Sequence, residues 1–250
     1  WSMRSLLSAL VVCTVACGSA AAQESPAARV SAADLAAKGH AALHDELKLW
    51  FPFCIDEANG GYHQAFNHAW EKVDQPRRTL VFQSRMLWVN ATMAAKLPEL
   101  AEQHRAYAAH GLTYIREQFV DPEHGGMFWD RMIDGSESPM HGEKHAYALA
   151  FAIYAASSAH DVMPDAGALD LAIETFRWLD EHAHDAEHGG YFEALARDGT
   201  PLLSKSDSPR DDVQWDALGT AYGYKSMNTH LHLLEAFTAL YRRWQDPVLK

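Results

Sequence analysis

The segment from Lys225 to Ala236, KSMNTHLHLLEA, carries Lys225, Asn228, His232 and Glu235 at i, i+3, i+7 and i+10. On a helix that spacing lines the four up along one stripe. Around them stand Met227, Leu231, Leu233, Leu234, Phe237 and Leu240, the composition of a core helix. A polar stripe there costs free energy unless its members hydrogen-bond among themselves or face a wet cavity. Both arrangements fit the spacing: a structural tie between helix and loop, or the wall of a ligand site. In the second, His232 is the group able to exchange a proton near neutral pH. His230 lies two residues from His232 and points to a different side, so the two are poor joint metal ligands. His141/His145 and His184/His188 have i, i+4 spacing without the rest of a metal signature. No metal or other cofactor is expected. A glycosidase-type carboxylate pair would draw on Glu235 with Asp56 or Asp211.

The elements that must hold this stripe come in repeats. Three segments match one another: DEANGGY from Asp56, DPEHGGM from Asp121 and DAEHGGY from Asp185. Their first glycines, Gly60, Gly125 and Gly189, are 65 and 64 residues apart. Such a period marks a repeated supersecondary unit, and the Gly-Gly pair suits a turn with positive φ. Between the turns, residues 32–50, 79–96, 99–119, 144–160, 166–184 and 227–244 carry apolar residues near a 3.6 period. Each repeat therefore reads as two helices, a Gly-Gly turn and a hairpin-like excursion (MFWDRMIDGS, YFEALARDGT). The expected fold is all-α, an α/α toroid with helix pairs in two concentric rings. A closed ring of about six pairs needs roughly 390 residues. This sequence offers about three and a half pairs, so the ring is expected to be incomplete, with residues 32–250 forming its N-terminal part.

The rest of the sequence narrows the ligand. Its 250 residues are 48% apolar with a formal net charge of −12, and no Lys/Arg-rich run appears. That excludes a nucleic-acid partner and suits a small polar one. Residues 1–22 read as a signal peptide: Met3-Arg4, an apolar stretch from Ser5 to Ala16, then Ala20-Ala21-Ala22, with Trp1 and Ser2 preceding the initiator. The stretch is too short to span a membrane. Export to the periplasm or medium is expected, with lipid anchoring through Cys17 a weaker reading because Thr14 stands where a lipobox prefers Leu. Residues 23–31 form a linker. Cleavage would leave Cys54 as the single cysteine, beside Phe53 and Ile55, a small buried hydrophobe with no disulfide partner.

KSMNTHLHLLEAFTALYR (Lys225 to Arg242) closely resembles a helix of the cellobiose 2-epimerase branch of the N-acylglucosamine 2-epimerase family. FQSRMLW (Phe82 to Trp88), KHAYALAFAIYA (Lys144 to Ala155) and GGYFEA (Gly189 to Ala194) fit the same branch in the same order. The resemblance implies an (α/α)6 barrel that epimerises a reducing-end sugar at C2 without a cofactor. It implies that Arg85 binds the sugar near its reacting carbons, that Tyr147 lines the pocket, and that Asn228 and His232 contact substrate. Glu235 is placed to orient His232. The chemistry requires ring opening, removal of the C2 proton, an enediolate and proton return to the other face. A histidine and a fixed guanidinium suit those steps.

One departure matters. The family's two principal acid/base histidines lie in its C-terminal half, one within Gly-His-Asp-x-Glu, and no Gly-His-Asp occurs here. By resemblance this sequence holds the substrate-binding half and is inactive by itself. A mannose-type aldose–ketose isomerase or an N-acylglucosamine 2-epimerase shares the scaffold and the enediolate. A toroidal glycoside hydrolase and a noncatalytic sugar-binding half-ring are the other readings. In each the partner is a saccharide, with no nucleic acid and no membrane after signal cleavage.

Overall fold

The computed structural model describes residues 31–210 and 213–249. The signal-peptide reading and most of the linker fall outside them, as does Asp211. The chain divides into two units at Leu49/Trp50. The first contributes all but the last residue of helix α1 (Ala32–Trp50), entered through Ser31, whose Oγ accepts from the Asp34 N–H.

The second unit holds β1 (Arg77–Thr79), α2 (Leu80–Lys96), α3 (Ala101–Phe119), β2 (Asp130–Met132), β3 (Lys144–His145), α4 (Ala146–Val162), α5 (Ala168–Ala183), β4 (Ala194–Leu195) and α6 (Met227–Tyr241). The helical periods of the sequence are therefore realised, each within a few residues at its ends. Helix α4 packs against α2 and α6, while α3 lies on α2 and α5 on α4. So α2, α4 and α6 form an inner row, with α3 and α5 behind it. Close approach rests on small residues: Ala148, Ala152, Ala155, Ala156 and Ala159 of α4 are all buried.

Each inner helix begins the same way. Thr79 caps α2, His145 caps α4 and Ser226 caps α6, each side chain accepting a backbone N–H of the first turn. Antiparallel strands precede two of them, with Arg78 opposite Arg131 and His145 opposite Ala194. Of the excursions, YFEALARDGT folds back at the Leu195–Pro201 bridge, and a like Phe66–Lys72 bridge follows the first Gly-Gly turn. The excursions also supply β2 and β4, which pair with the strand ahead of the preceding inner helix.

The three Gly-Gly turns are superimposable in their bonding. Asp56, Asp121 and Asp185 each accept a backbone N–H at Gly60, Gly125 and Gly189 and donate their own to the second glycine's carbonyl. Each aspartate then meets a cation two residues ahead of an inner helix: Arg78 at 2.7 Å, Lys144 at 3.1 Å and Lys225 at 2.5 Å. The second glycine must stay glycine. A Cβ on Gly126 (φ +64°) would lie 2.6 Å from the Trp178 ring.

Cys54 is fully buried, and burial pushes its thiol pKa up to about 12. It should resist alkylation of the native protein at pH 8 and react only after denaturation. Mass mapping of the Cys54 peptide before and after denaturant checks this, and rapid native labelling would contradict it.

Candidate functional site

The common start of the inner helices decides what meets at their centre. Arg85, Phe151 and His232 stand six residues past the caps Thr79, His145 and Ser226, and Trp88, Tyr154 and Glu235 stand nine past them. Equal offsets on packed, like-directed helices bring equivalent side chains to the same level. All six, with Ser84, line one cavity of about 210 Å³.

Within it the Arg85 guanidinium lies over the Phe151 ring at 5.1 Å. Arg85 makes no hydrogen bond or ion pair with another described residue, so its donors are open to a ligand. His232 packs on Phe151 with centroids 4.6 Å apart and meets Tyr147 edge to face at 5.1 Å. Its Nδ1 lies 2.8 Å from Glu235 Oε2. With the proton of Nδ1 on that carboxylate bond, Nε2 keeps its lone pair. Trp88 stacks on Tyr154 at 5.5 Å and completes an aromatic wall. The cavity thus offers a cation seated on an aromatic face, a carboxylate-oriented imidazole and flat apolar faces, a set suited to a small polyhydroxylated ring.

Arg85, His232 and Glu235 are brought together as the sequence suggested, with Tyr147 against the His232 ring. Asn228 is exposed on the first turn of α6 and is not among the residues lining the cavity. Lys225 is a correction. It lies ahead of the Ser226 cap rather than on the helical stripe, and its ammonium is held by Asp185 and the Gly189 carbonyl. His230 is structural too, its Nε2 accepting the Tyr191 N–H as Gln83 Oε1 accepts that of Tyr62. Asp56 is committed to Arg78, which leaves Glu235 as the carboxylate lining the cavity. Trp50 belongs to a ring cluster with Phe66, Trp70 and Phe82, and Trp129 is buried against His145. Phe151, Trp88 and Tyr154 were missed as wall residues; the signal that finds them is their equal offset from the inner-helix caps.

The apolar residues of α6 divide between core and surface. Leu233 and Leu240 are buried, but Met227, Leu231 and Leu234 are 77%, 51% and 65% exposed, so one apolar face of this helix lies open.

Beneath the loops, donor atoms of His145, Glu193 and Asp216 lie within 4.8 Å of one another, all buried. Distance alone would admit a metal. The cap geometry does not, because His145 Nδ1 accepts the Tyr147 N–H at 3.2 Å. The ring proton then sits on Nε2, which lies 3.0 Å from Asp216 Oδ2 and has no lone pair for an ion.

The sequence profile of the N-acylglucosamine 2-epimerase (GlcNAc 2-epimerase) family matches residues 60–247. The chain belongs to that family. Among its epimerase-family relatives, the cellobiose 2-epimerase of Bacteroides fragilis is 31% identical over 204 residues, covering 82% of this chain and 49% of the relative. The D-mannose isomerase of Marinomonas mediterranea is 27% identical over 82% of this chain and 45% of its own. The solved cellobiose 2-epimerase of Spirochaeta thermophila superimposes with a TM-score of 0.73 at 30% identity, over 87% of this chain and 51% of that one. The chain spans about half the length of the relatives it matches. The two rows of helices are accordingly part of the family's (α/α)6 barrel.

Proposed function

We propose that this chain carries the reducing-end sugar site of a carbohydrate 2-epimerase of the cellobiose type. The observation that carries the reading is the meeting of Arg85 and His232, from equivalent positions of two inner helices, in one aromatic-walled cavity. Its 210 Å³ is below the usual range for small-molecule pockets, which starts at about 300 Å³, and suits one pyranose ring with the rest of a disaccharide outside.

In this reading Arg85 donates to the oxygens at C1 and C2, where charge develops as the C2 proton leaves and an enediolate forms. Glu235 holds His232 in the tautomer that turns a bare Nε2 toward the sugar. Proton removal and return on two faces requires a second acid/base, and the cavity contains one imidazole. In this reading turnover therefore draws on a second acid/base beyond the described lining of this cavity. From the leader read in residues 1–22 we further propose that the protein acts outside the cytoplasm.

Saturation-transfer NMR with mannose and with cellobiose is expected to show the reducing-end ring in contact with the protein. No deuterium should enter C2 in D2O with this chain as the sole protein. Failure of both sugars to bind would overturn the site. C2 exchange by this chain would overturn the claim that proton transfer needs more than it holds. The likeness to D-mannose isomerases makes ketose formation the alternative outcome for a competent assembly: a ketose instead of the 2-epimer would reassign the reaction while keeping the site.

A further inference from the structure

Asp216 belongs to the loop ahead of α6 and is almost fully buried. Its Oδ1 accepts the Leu218 and Thr220 N–H groups, at 2.9 and 2.8 Å, and its Oδ2 faces His145 Nε2. Burial alone would raise this carboxyl. The His145 hydrogen bond and the Thr220 and Leu218 N–H groups outweigh burial and hold it below the usual carboxylate range. An ionised carboxylate only accepts, so Nε2 must carry the proton and Nδ1 must be the acceptor for the Tyr147 N–H. Tyr147 is the second residue of α4, and its ring sets the edge against which His232 stands. Other groups around this core are Glu143, which faces Arg210, and Glu193, which accepts the N–H of the α6 cap Ser226.

We infer that Asp216 is a positioning residue of the sugar site: by fixing the His145 tautomer it fixes the first turn of α4, and through Tyr147 the face of His232. The inference rests on the sugar-site reading only for its consequence on binding. Its first two links concern the free protein.

The substitution Asp216→Asn separates this from general stability. An asparagine must keep its oxygen toward the Leu218 and Thr220 N–H groups, so its NH2 turns to His145. Nε2 must then accept, the proton moves to Nδ1, and that proton opposes the Tyr147 N–H. Long-range 1H–15N correlation spectra of the labelled chain read the tautomer directly. The wild type is expected to show His145 protonated at Nε2, and Asp216→Asn at Nδ1, with a shifted His232 ring resonance and mannose affinity about tenfold weaker. Adding His145→Ser restores a cap without a tautomer and should return affinity to within about threefold of wild type. The inference is overturned if the variant keeps the Nε2 proton. It is equally overturned if the tautomer flips while the His232 resonance stays in place. Should the wild type bind no sugar, the functional reading fails, and the tautomer and His232 resonance still decide the positioning. If Asp216→Asn does not fold, the wild-type spectrum decides, since an Nδ1 proton there would be fatal.

Discussion

Asp121→Asn should destabilise the protein by about 3–5 kcal/mol, the range for removing one partner of a buried ion pair. Asp121 and Lys144 side chains have no solvent exposure and lie 3.1 Å apart. Arg197 adds a two-pronged contact, Nε to Oδ2 at 2.9 Å and an NH2 nitrogen to Oδ1 at 3.1 Å. Loss of the carboxylate charge leaves the Lys144 ammonium with the Gly125 and Arg197 carbonyls and the Trp178 face. Burial already holds that ammonium below its usual pKa, so the pair's worth shows when one partner goes. At roughly 2–4 °C per kcal/mol for a chain of this size, a melting point about 10 °C lower is expected. The equivalent Asp185→Asn is the internal control. Lys225 is partly exposed there, and a clearly smaller loss is expected. Equal losses at the two sites would refute the burial argument.

The acid limb carries the sign. Burial tends to raise the Asp121 carboxyl, but Arg197, the Glu123 N–H and Lys144 pull it far below the ordinary range. Its stabilisation is thus complete above the unfolded carboxylate pKa of about 3.9 and fades as pH falls toward the depressed folded value. Wild type and Asp121→Asn should converge in stability below about pH 4, which melting curves across pH 2–7 would test.

The helices and the repeat were legible because each signal is local: a 3.6 period and a Gly-Gly turn that little else can replace. Strand pairing was not, since Arg78 meets Arg131 across 53 residues of sequence. Lys225 was misplaced because i, i+3 spacing cannot distinguish a first-turn residue from one ahead of the cap. Comparing the inner helices, and not only the turns, would have corrected it: Arg78, Lys144 and Lys225 all precede their helices by two residues. His145 read as half of an i, i+4 histidine pair, whereas its ring is a helix cap whose tautomer a distant aspartate sets. That coupling spans 71 residues, and no pattern within either segment reveals it. The open apolar face of α6 is a like case, because periodicity shows that a face is apolar and not what covers it.

Arg85→Ala should weaken binding of a reducing sugar by about 10- to 150-fold, the loss of a charged hydrogen-bonding group worth roughly 1.5–3 kcal/mol. The size follows from how little else holds the guanidinium. No described carboxylate pairs with it, so its donors are not already spent, and the Phe151 face limits where it can go. Arg85→Lys should recover only a fraction, since an ammonium cannot present two parallel donors to neighbouring oxygens or stack as a plane on the ring. Glu235→Gln makes the useful contrast. It keeps a hydrogen-bond acceptor near His232 Nδ1 and removes a charge that in this reading acts through His232, so affinity should change about threefold or less. Titration calorimetry with mannose on the three variants separates the cases. If Arg85→Lys binds as well as wild type, the guanidinium acts as a point charge, and its proposed grip on adjacent C1 and C2 oxygens is wrong.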